Sequence, residues 1–262
     1  MSAGLGGTGT AITYVGHATV KVETCGTRIV TDPVLRRRVG HLRRVASLPP
    51  LAGIDGPDGV LISHAHLDHL DLPTLRSFAP AAPILVPRGV ARTVRRSGLR
   101  RVIEVEAGDR LTVGEINVLV TPAEHDGRRL PLSRAHEAVG YVIEGPQRVY
   151  FAGDTDLFEG MRDLAGDLDV ALLPVWGWGR RVGQGHLDPE RAARAAALLL
   201  PTFAVPIHWG TLAAPLASAS ASAWPAHEFV RLTAAAAPDV DVRILGHGET
   251  FFLEGHTAAS SS

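Results

Sequence analysis

The chain has 262 residues, 45% hydrophobic and 20% charged, enough to bury a large core as one domain or two fused halves. With 26 Lys and Arg against 27 Asp and Glu, its formal net charge of -1 supplies no long-range attraction for nucleic acid or an anionic membrane. The single cysteine, Cys25, rules out an internal disulfide, no apolar run is long enough for a transmembrane span, and Met1 to Thr10 lacks the basic start and apolar core of a signal peptide.

Residues 1–10 are expected to be a flexible lead, residues 11–254 one domain, and residues 255–262 a flexible tail. Ala11 to Val15, Thr19 to Glu23 and Thr27 to Thr31 predict an antiparallel meander with turns at Gly16-His17 and Cys25-Gly26. Residues 35–50, rich in arginine and without a clean period, read as a surface loop able to lie over a site. Val60 to Ile62 is a short apolar run, a buried strand, and it delivers His64-Ala65-His66-Leu67-Asp68-His69. Leu72 to Phe78 and Gly89 to Ser97 predict helices. Strands are expected at Ile84–Val86, Val102–Val105, Arg110–Val113 and Ile116–Thr121, the last ending in a polar turn with His125.

A hairpin over residues 138–151 then delivers Gly153-Asp154. Phe158 to Leu164 reads as a helix and Val170 to Leu173 as a strand. The long loop at 174–188 contains Trp176, Trp178, Arg180 and His186. Asp188 caps a helix with Pro189 at its first position. Phe203 to Ile207 is a strand that delivers His208, Pro225 to Ala236 a helix, and Val242–Leu245 and Phe251–Leu253 closing strands. Two sheets covered by helices would bury these runs and gather the ligand-bearing loops at one edge.

Imidazoles and carboxylates without thiolates suit zinc, and also manganese or iron. Counting donors supports two divalent ions. His64, His66 and His125 can hold one, Asp68, His69 and His208 the other, and Asp154 can bridge them. Two such ions would generate a bridging hydroxide at neutral pH.

The His64-Ala-His66-Leu-Asp68-His69 pattern, followed in order by His125, Asp154 and His208, resembles the HxHxDH signature of the metallo-β-lactamase fold superfamily. That resemblance implies an α+β, four-layer αββα sandwich with the metal site at one edge of the two sheets. A narrower likeness joins Gly16-His17-Ala-Thr, Thr31-Asp32-Pro33, Asp71, Phe151-Ala-Gly-Asp154-Thr155 and His186-Leu-Asp188-Pro189-Glu190. These resemble the branch of N-acyl-phosphatidylethanolamine-hydrolysing phospholipase D, with the ascorbate-6-phosphate lactonases nearby. The likeness implies that His186 sits by the centre, that Asp32 and Asp71 support the ligands from behind, and that His17 lies at the floor.

The expected function is a dinuclear metal-dependent phosphodiesterase, with Asp68 or His186 assisting proton transfer. Trp176 and Trp178 are candidate apolar walls, and Arg128 and Arg180 candidate phosphate clamps. Lactone hydrolysis, on a small and phosphorylated sugar lactone for example, is the second expectation. A non-catalytic metal-binding module is a third. The expected partner is a small molecule, with no nucleic acid and no membrane span; a homo-oligomer is a general expectation for soluble enzymes, and a reducing, cytoplasmic setting fits the cysteine count.

Overall fold

The computed structural model of the chain describes residues 9–48, 56–78, 81–127, 135–178, 181–215 and 222–255. Strands β1 (Thr10–Gly16), β2 (Thr19–Thr24) and β3 (Thr27–Thr31) form the antiparallel meander. A short hairpin of β4 (Arg38–Val39) and β5 (Leu42–Arg44) follows. Then come β6 (Gly59–Leu61), α1 (Leu72–Phe78), β7 (Ile84–Pro87), α2 (Ala91–Arg96) and β8 (Val102–Val105). Strands β3, β6, β7 and β8 are parallel neighbours.

The second half opens with β9 (Arg110–Val113), β10 (Ile116–Pro122), β11 (Val139–Glu144) and β12 (Arg148–Phe151), again an antiparallel meander. A 3-10 helix (Glu159–Leu164) leads to β13 (Val170–Pro174), α3 (Pro189–Leu199), β14 (Phe203–Ile207), β15 (Leu212–Ala213), α4 (Trp224–Ala236) and β16 (Asp241–Val242). Here β12, β13, β14 and β16 run parallel. The last strand, β17 (Thr250–Leu253), returns to pair with β1. The result is two seven-stranded sheets, ordered β17-β1-β2-β3-β6-β7-β8 and β16-β14-β13-β12-β11-β10-β9.

Strand periodicity explains the layering. Ile29, Leu61 and Leu85 of the first sheet share a buried cluster with Val118, Val120, Tyr141 and Ile143 of the second. Their immediate neighbours Val30, Val60 and Ile84 point the other way, onto Leu75 of α1 and Val94 of α2. Because both faces of these strands are covered, they read as continuous apolar runs rather than alternating ones. On the far side, Ala192, Ala195, Ala196 and Leu199 of α3 and Phe229 of α4 cover the second sheet. The four layers are those of the αββα sandwich.

Several elements differ from the sequence expectation. The stretch expected as a loop at 35–50 contains β4 and β5, and β15 joins them in a third, three-stranded sheet over Val34, Val39, Leu42 and Leu212. Its arginines point outward or make local bonds, which hides the strand alternation. The segment 158–164 is a 3-10 helix, and the strand expected at Val242–Leu245 stops at Val242. Thr10, placed in the expected lead, opens β1; residues 1–8 and 256–262 lie outside the described residues. The Asp188 cap is present, its side chain accepting from the Arg191 N–H at 2.9 Å. Among the described residues no helix is long and apolar enough to cross a membrane.

The two sheets are pinned together at one edge. The Val139 N–H donates to the Ser63 carbonyl at 2.9 Å, and the Tyr141 hydroxyl to the Ile62 carbonyl at 2.8 Å. Gly153, at φ 62°, lies so close that a Cβ there would stand 2.4 Å from the Ser63 Cβ. Gly153→Ala is therefore expected to destabilise the fold by about 2 kcal/mol or more, from left-handed strain and overpacking together. Urea unfolding of the two proteins measures it.

Candidate metal centre

The pinned edge is where the chain leaves successive strands. His17 follows β1, Asp32 follows β3, the His64–His69 segment follows β6, His125 follows β10, Asp154 follows β12 and His208 follows β14. Ligand sites in open α/β sheets form outside the carboxyl ends of parallel strands for the same reason: loops there converge while the strands stay rigid. His17, Asp32 and His208 all take left-handed backbone (φ 59°, 33° and 64°), which turns the chain sharply at the strand end.

Two groups of donors result. His64, His66 and His125 form one; Asp68, His69 and His208, with His17, form the other, and in each the donor atoms lie within 4.8 Å of one another. Asp154 stands between them. Its Oδ2 is 3.1 Å from His69 Nε2, 3.5 Å from His186 Nε2 and 3.9 Å from His64 Nε2, and its Oδ1 is 3.3 Å from His208 Nε2. His64, His69, His208, Asp68 and Asp154 are buried, whereas His66, His125 and His186 are partly exposed and form the open rim.

The imidazoles are oriented from behind. His69 Nδ1 donates to Asp32 Oδ2 at 2.7 Å, His125 Nδ1 to the Gly185 carbonyl at 2.6 Å, and His208 Nδ1 to the Trp176 carbonyl at 2.8 Å. Ser63 Oγ donates to Asp32 Oδ2 at 2.5 Å, which leaves it to accept from His64 Nδ1 at 3.0 Å. Each acceptor holds an Nδ1–H, so four Nε2 atoms point inward. They meet at close range: His64 Nε2 to His66 Nδ1 is 2.9 Å, His66 Nδ1 to His125 Nε2 3.2 Å, and His69 Nε2 to His208 Nε2 3.1 Å. Nitrogens this close share a proton or a cation between them, and Asp154 Oδ1 is buried with no hydrogen-bond partner. This donor set fits divalent ions.

Charge follows the same arrangement. Burial, with neighbouring imidazoles adding to it, pushes His66 down to about 4. Burial likewise holds His208 at about 3 and His64 well below the usual histidine range. Burial would also lower His69, but Asp154 and Asp68 override it and hold that ring well above 6.5. Burial would raise Asp154, yet the imidazoles of His208 and His69 hold it well below the usual carboxylate range.

The remaining expected residues fall as follows. His17 Nε2 donates to Asp68 Oδ2 at 3.1 Å, and its ring lies 3.8 Å from that of His208, so it backs Asp68 from the floor. Asp32 lies directly behind His69. Asp71, expected behind the ligands, instead receives Arg36 through two bonds at 2.6 and 2.8 Å and bonds Thr74 at the start of α1. Its role is to fix the segment 34–36 against that helix. Trp176 acts at the centre through its carbonyl, while its ring packs edge-on against Trp224 at 5.3 Å. The Trp178 ring packs against His41 at 5.2 Å and against the cluster of Val34, Val39, Leu42 and Leu212. Arg128 and Arg180 lie outside the described residues.

Sequence reasoning missed Ser63, the Gly185 and Trp176 carbonyls, and Thr155, whose hydroxyl accepts from the Glu124 N–H at 2.9 Å and ties the His125 turn to the Asp154 turn. A backbone carbonyl leaves no trace in the residue pattern. Ser63 adjoins His64, and its position at the strand exit was the one available signal. A cleft of about 490 Å³ opens beside His125, lined also by Glu106, Pro122, Glu137 and Val139.

Residues 27–209 match a family described as a beta-lactamase superfamily domain. The chain is 33% identical over 218 residues to an uncharacterized protein of Mycobacterium tuberculosis, across 77% of this chain and 59% of that longer relative. It is 32% identical over 247 residues to a UPF0173 metal-dependent hydrolase of Methanopyrus kandleri, across 92% of this chain and 98% of the relative. Among solved structures it is similar to Igni18, a metallo hydrolase of the archaeon Ignicoccus hospitalis, at 26% identity and a TM-score of 0.72, covering 94% and 99% of the two chains.

Two outcomes follow from the geometry. Asp32→Ala frees the His69 tautomer and is expected to weaken metal binding about 10- to 100-fold by calorimetric titration. In the metal-free protein, His17, His64, His66, His125 and His208 have lowered pKa values and only His69 a raised one. Below 6.5 the unfolded chain takes up protons that the fold refuses at five of these rings, so stability present above 6.5 is lost as pH falls. His69 opposes this singly. The thermal midpoint of the metal-free protein is expected to drop steadily from pH 6.5 toward pH 4 in a series of melts.

Proposed function

Because the chain belongs to the metallo-β-lactamase fold superfamily, we propose that it is a metal-dependent hydrolase with a two-ion centre. His64, His66 and His125 would hold one ion and Asp68, His69 and His208 the other, with Asp154 placed to serve both. The observation that carries this reading is the Asp154 carboxylate, buried between the two donor groups, with Oδ2 3.1 Å from His69 and 3.9 Å from His64 and Oδ1 3.3 Å from His208. Zinc suits five or six imidazoles with carboxylates and no thiolate; manganese and iron accept the same donors. Bound ions would lower the pKa of a water and polarise the bond to be cleaved.

The chain's own groups supply the rest. Asp32, Ser63 and the Gly185 and Trp176 carbonyls keep the ring nitrogens aimed inward before any substrate arrives, so no reorganisation is needed during reaction. His186 stands on the open rim, 3.5 Å from Asp154 and in ring contact with His125 at 4.6 Å. From there it can deliver a proton to a departing oxygen. Asp68, held ionised despite burial by His69 and His17, is an anionic donor at the floor.

The phospholipase-like motifs around His17, Asp154 and His186 support a phosphodiester substrate. One observation favours lactone hydrolysis as the second reading: Glu106 and Glu137 line the cleft beside His125, which disfavours the negative charge of a phosphodiester and suits an uncharged lactone.

Metal analysis is expected to find close to two ions per chain, and chelation to abolish an activity that added zinc restores. Bis-p-nitrophenyl phosphate, cyclic nucleotides, phospholipids and sugar lactones separate the substrates; turnover of lactones alone would defeat the phosphodiester reading. Asp154→Ala is expected to lower the rate on the order of 100-fold or more and to reduce the metal content. Full activity in that variant would remove Asp154 from the centre.

A further inference from the structure

The loop at 184–188 carries His186 and the carbonyl behind His125, and one ion pair holds it. We propose that Asp156 and Arg191 form a clasp that positions His125 and His186 at the centre. This rests on the placement of those two histidines in the proposed function.

Asp156 lies two residues beyond Asp154, and Arg191 lies in the first turn of α3. Their side chains are in direct contact, Arg191 NH2 on Asp156 Oδ1, with side-chain exposures of 34% and 19%. Each then reaches into the loop from its own side. Arg191 NH1 donates to the His186 carbonyl at 3.1 Å, and Asp156 Oδ2 accepts from the Gly185 N–H at 3.3 Å. The Gly185 carbonyl is the acceptor that fixes the His125 tautomer. The Asp156 N–H also donates to the Glu124 carbonyl at 2.8 Å, directly before His125. His125 is thus gripped from both ends through Asp156, by its preceding carbonyl and by the carbonyl behind its ring.

The helix itself does not depend on this pair. Asp188 caps it, Pro189 starts it, and Ala192, Ala193, Ala195, Ala196 and Leu199 bury its inner face. A solvent-accessible ion pair such as this half-buried one contributes little to stability. Here the guanidinium is one rigid fork that serves a carboxylate and a carbonyl at once, a geometry that lysine does not reproduce. The consequence of the pair falls on the loop and its histidines. Gly185, at φ 77°, supports the same conclusion: a Cβ there would lie 3.4 Å from His125 Nδ1, so the loop backbone is seated directly against the ring.

The test uses the full chain. In the metal-free wild type, long-range nitrogen–proton NMR is expected to show His125 protonated on Nδ1. Arg191→Ala is expected to average the two His125 tautomers, while His208, held by the Trp176 carbonyl, keeps its own. Zinc titration against a chromophoric chelator is then expected to show one ion weakened about 10- to 100-fold and the other unchanged. Arg191→Lys keeps the charge beside Asp156 but not the fork, and is expected to fall between.

A wild-type His125 tautomer together with wild-type zinc affinities in Arg191→Ala overturns the inference. So does a loss of secondary structure shared by the Ala and Lys variants, which would make Arg191 a folding residue. Failure of the hydrolase reading shows separately: a wild type that turns over nothing, but whose His125 tautomer responds to Arg191→Ala, supports the clasp and removes only the reaction.

Discussion

The arrangement depends on keeping one carboxylate ionised where water does not reach. Asp154 is 2% exposed, and a lone buried carboxylate would take up a proton rather than bear the desolvation cost. It stays ionised because imidazoles from three separate strand exits converge on it. The same convergence would fail if the rings were free to turn. Asp154 therefore needs its histidines, and the histidines need the acceptors behind them.

Those acceptors belong to both sheets. Asp32 and Ser63 come from the first; Gly185 and Trp176 come from loops of the second. The sheets are joined at this same edge by Val139, Tyr141 and the close approach of Gly153 to Ser63. The centre is a property of the seam, and sub-ångström packing between layers sets the spacing of its donors. Polar contacts mark the opposite edge as well, where Thr27 receives the Glu115 N–H and Thr10 reaches Gln147. A sandwich pinned at both edges cannot open at the centre without sliding its core.

Much of this was legible in the residues. Runs such as Val60-Leu61-Ile62 announced strands buried on both faces, and Asp188-Pro189 announced a helix start, because each signal is local. His64 to His69, His125, Asp154 and His208 stood out because ligand-type side chains at strand exits have few other uses. What stayed hidden was decided at a distance. Asp71 has the same chemistry as Asp32 and a similar place in the motif, but Arg36 is near enough to take both its oxygens. The hairpin at Arg38–Arg44 has too few apolar positions to show a period, and β15, its partner, lies more than 160 residues away in the chain. Trp176, expected as an apolar wall, meets the centre through its carbonyl, and the Trp178 ring packs against His41.

The left-handed backbone at His17, Asp32 and His208 has a consequence for how this protein could change. Among the described residues five positions other than glycine take positive φ, and three of them are these. Each costs on the order of 1–3 kcal/mol, which glycine would not incur. Relief of that strain pulls toward glycine, against the buried hydrogen bonds that Asp32 and His17 make. Glycine at these positions would relieve the backbone and remove the chemistry, leaving a sandwich with an inert edge. Histidine and aspartate at these strained positions thus set stability and use against each other in the same stretch of backbone.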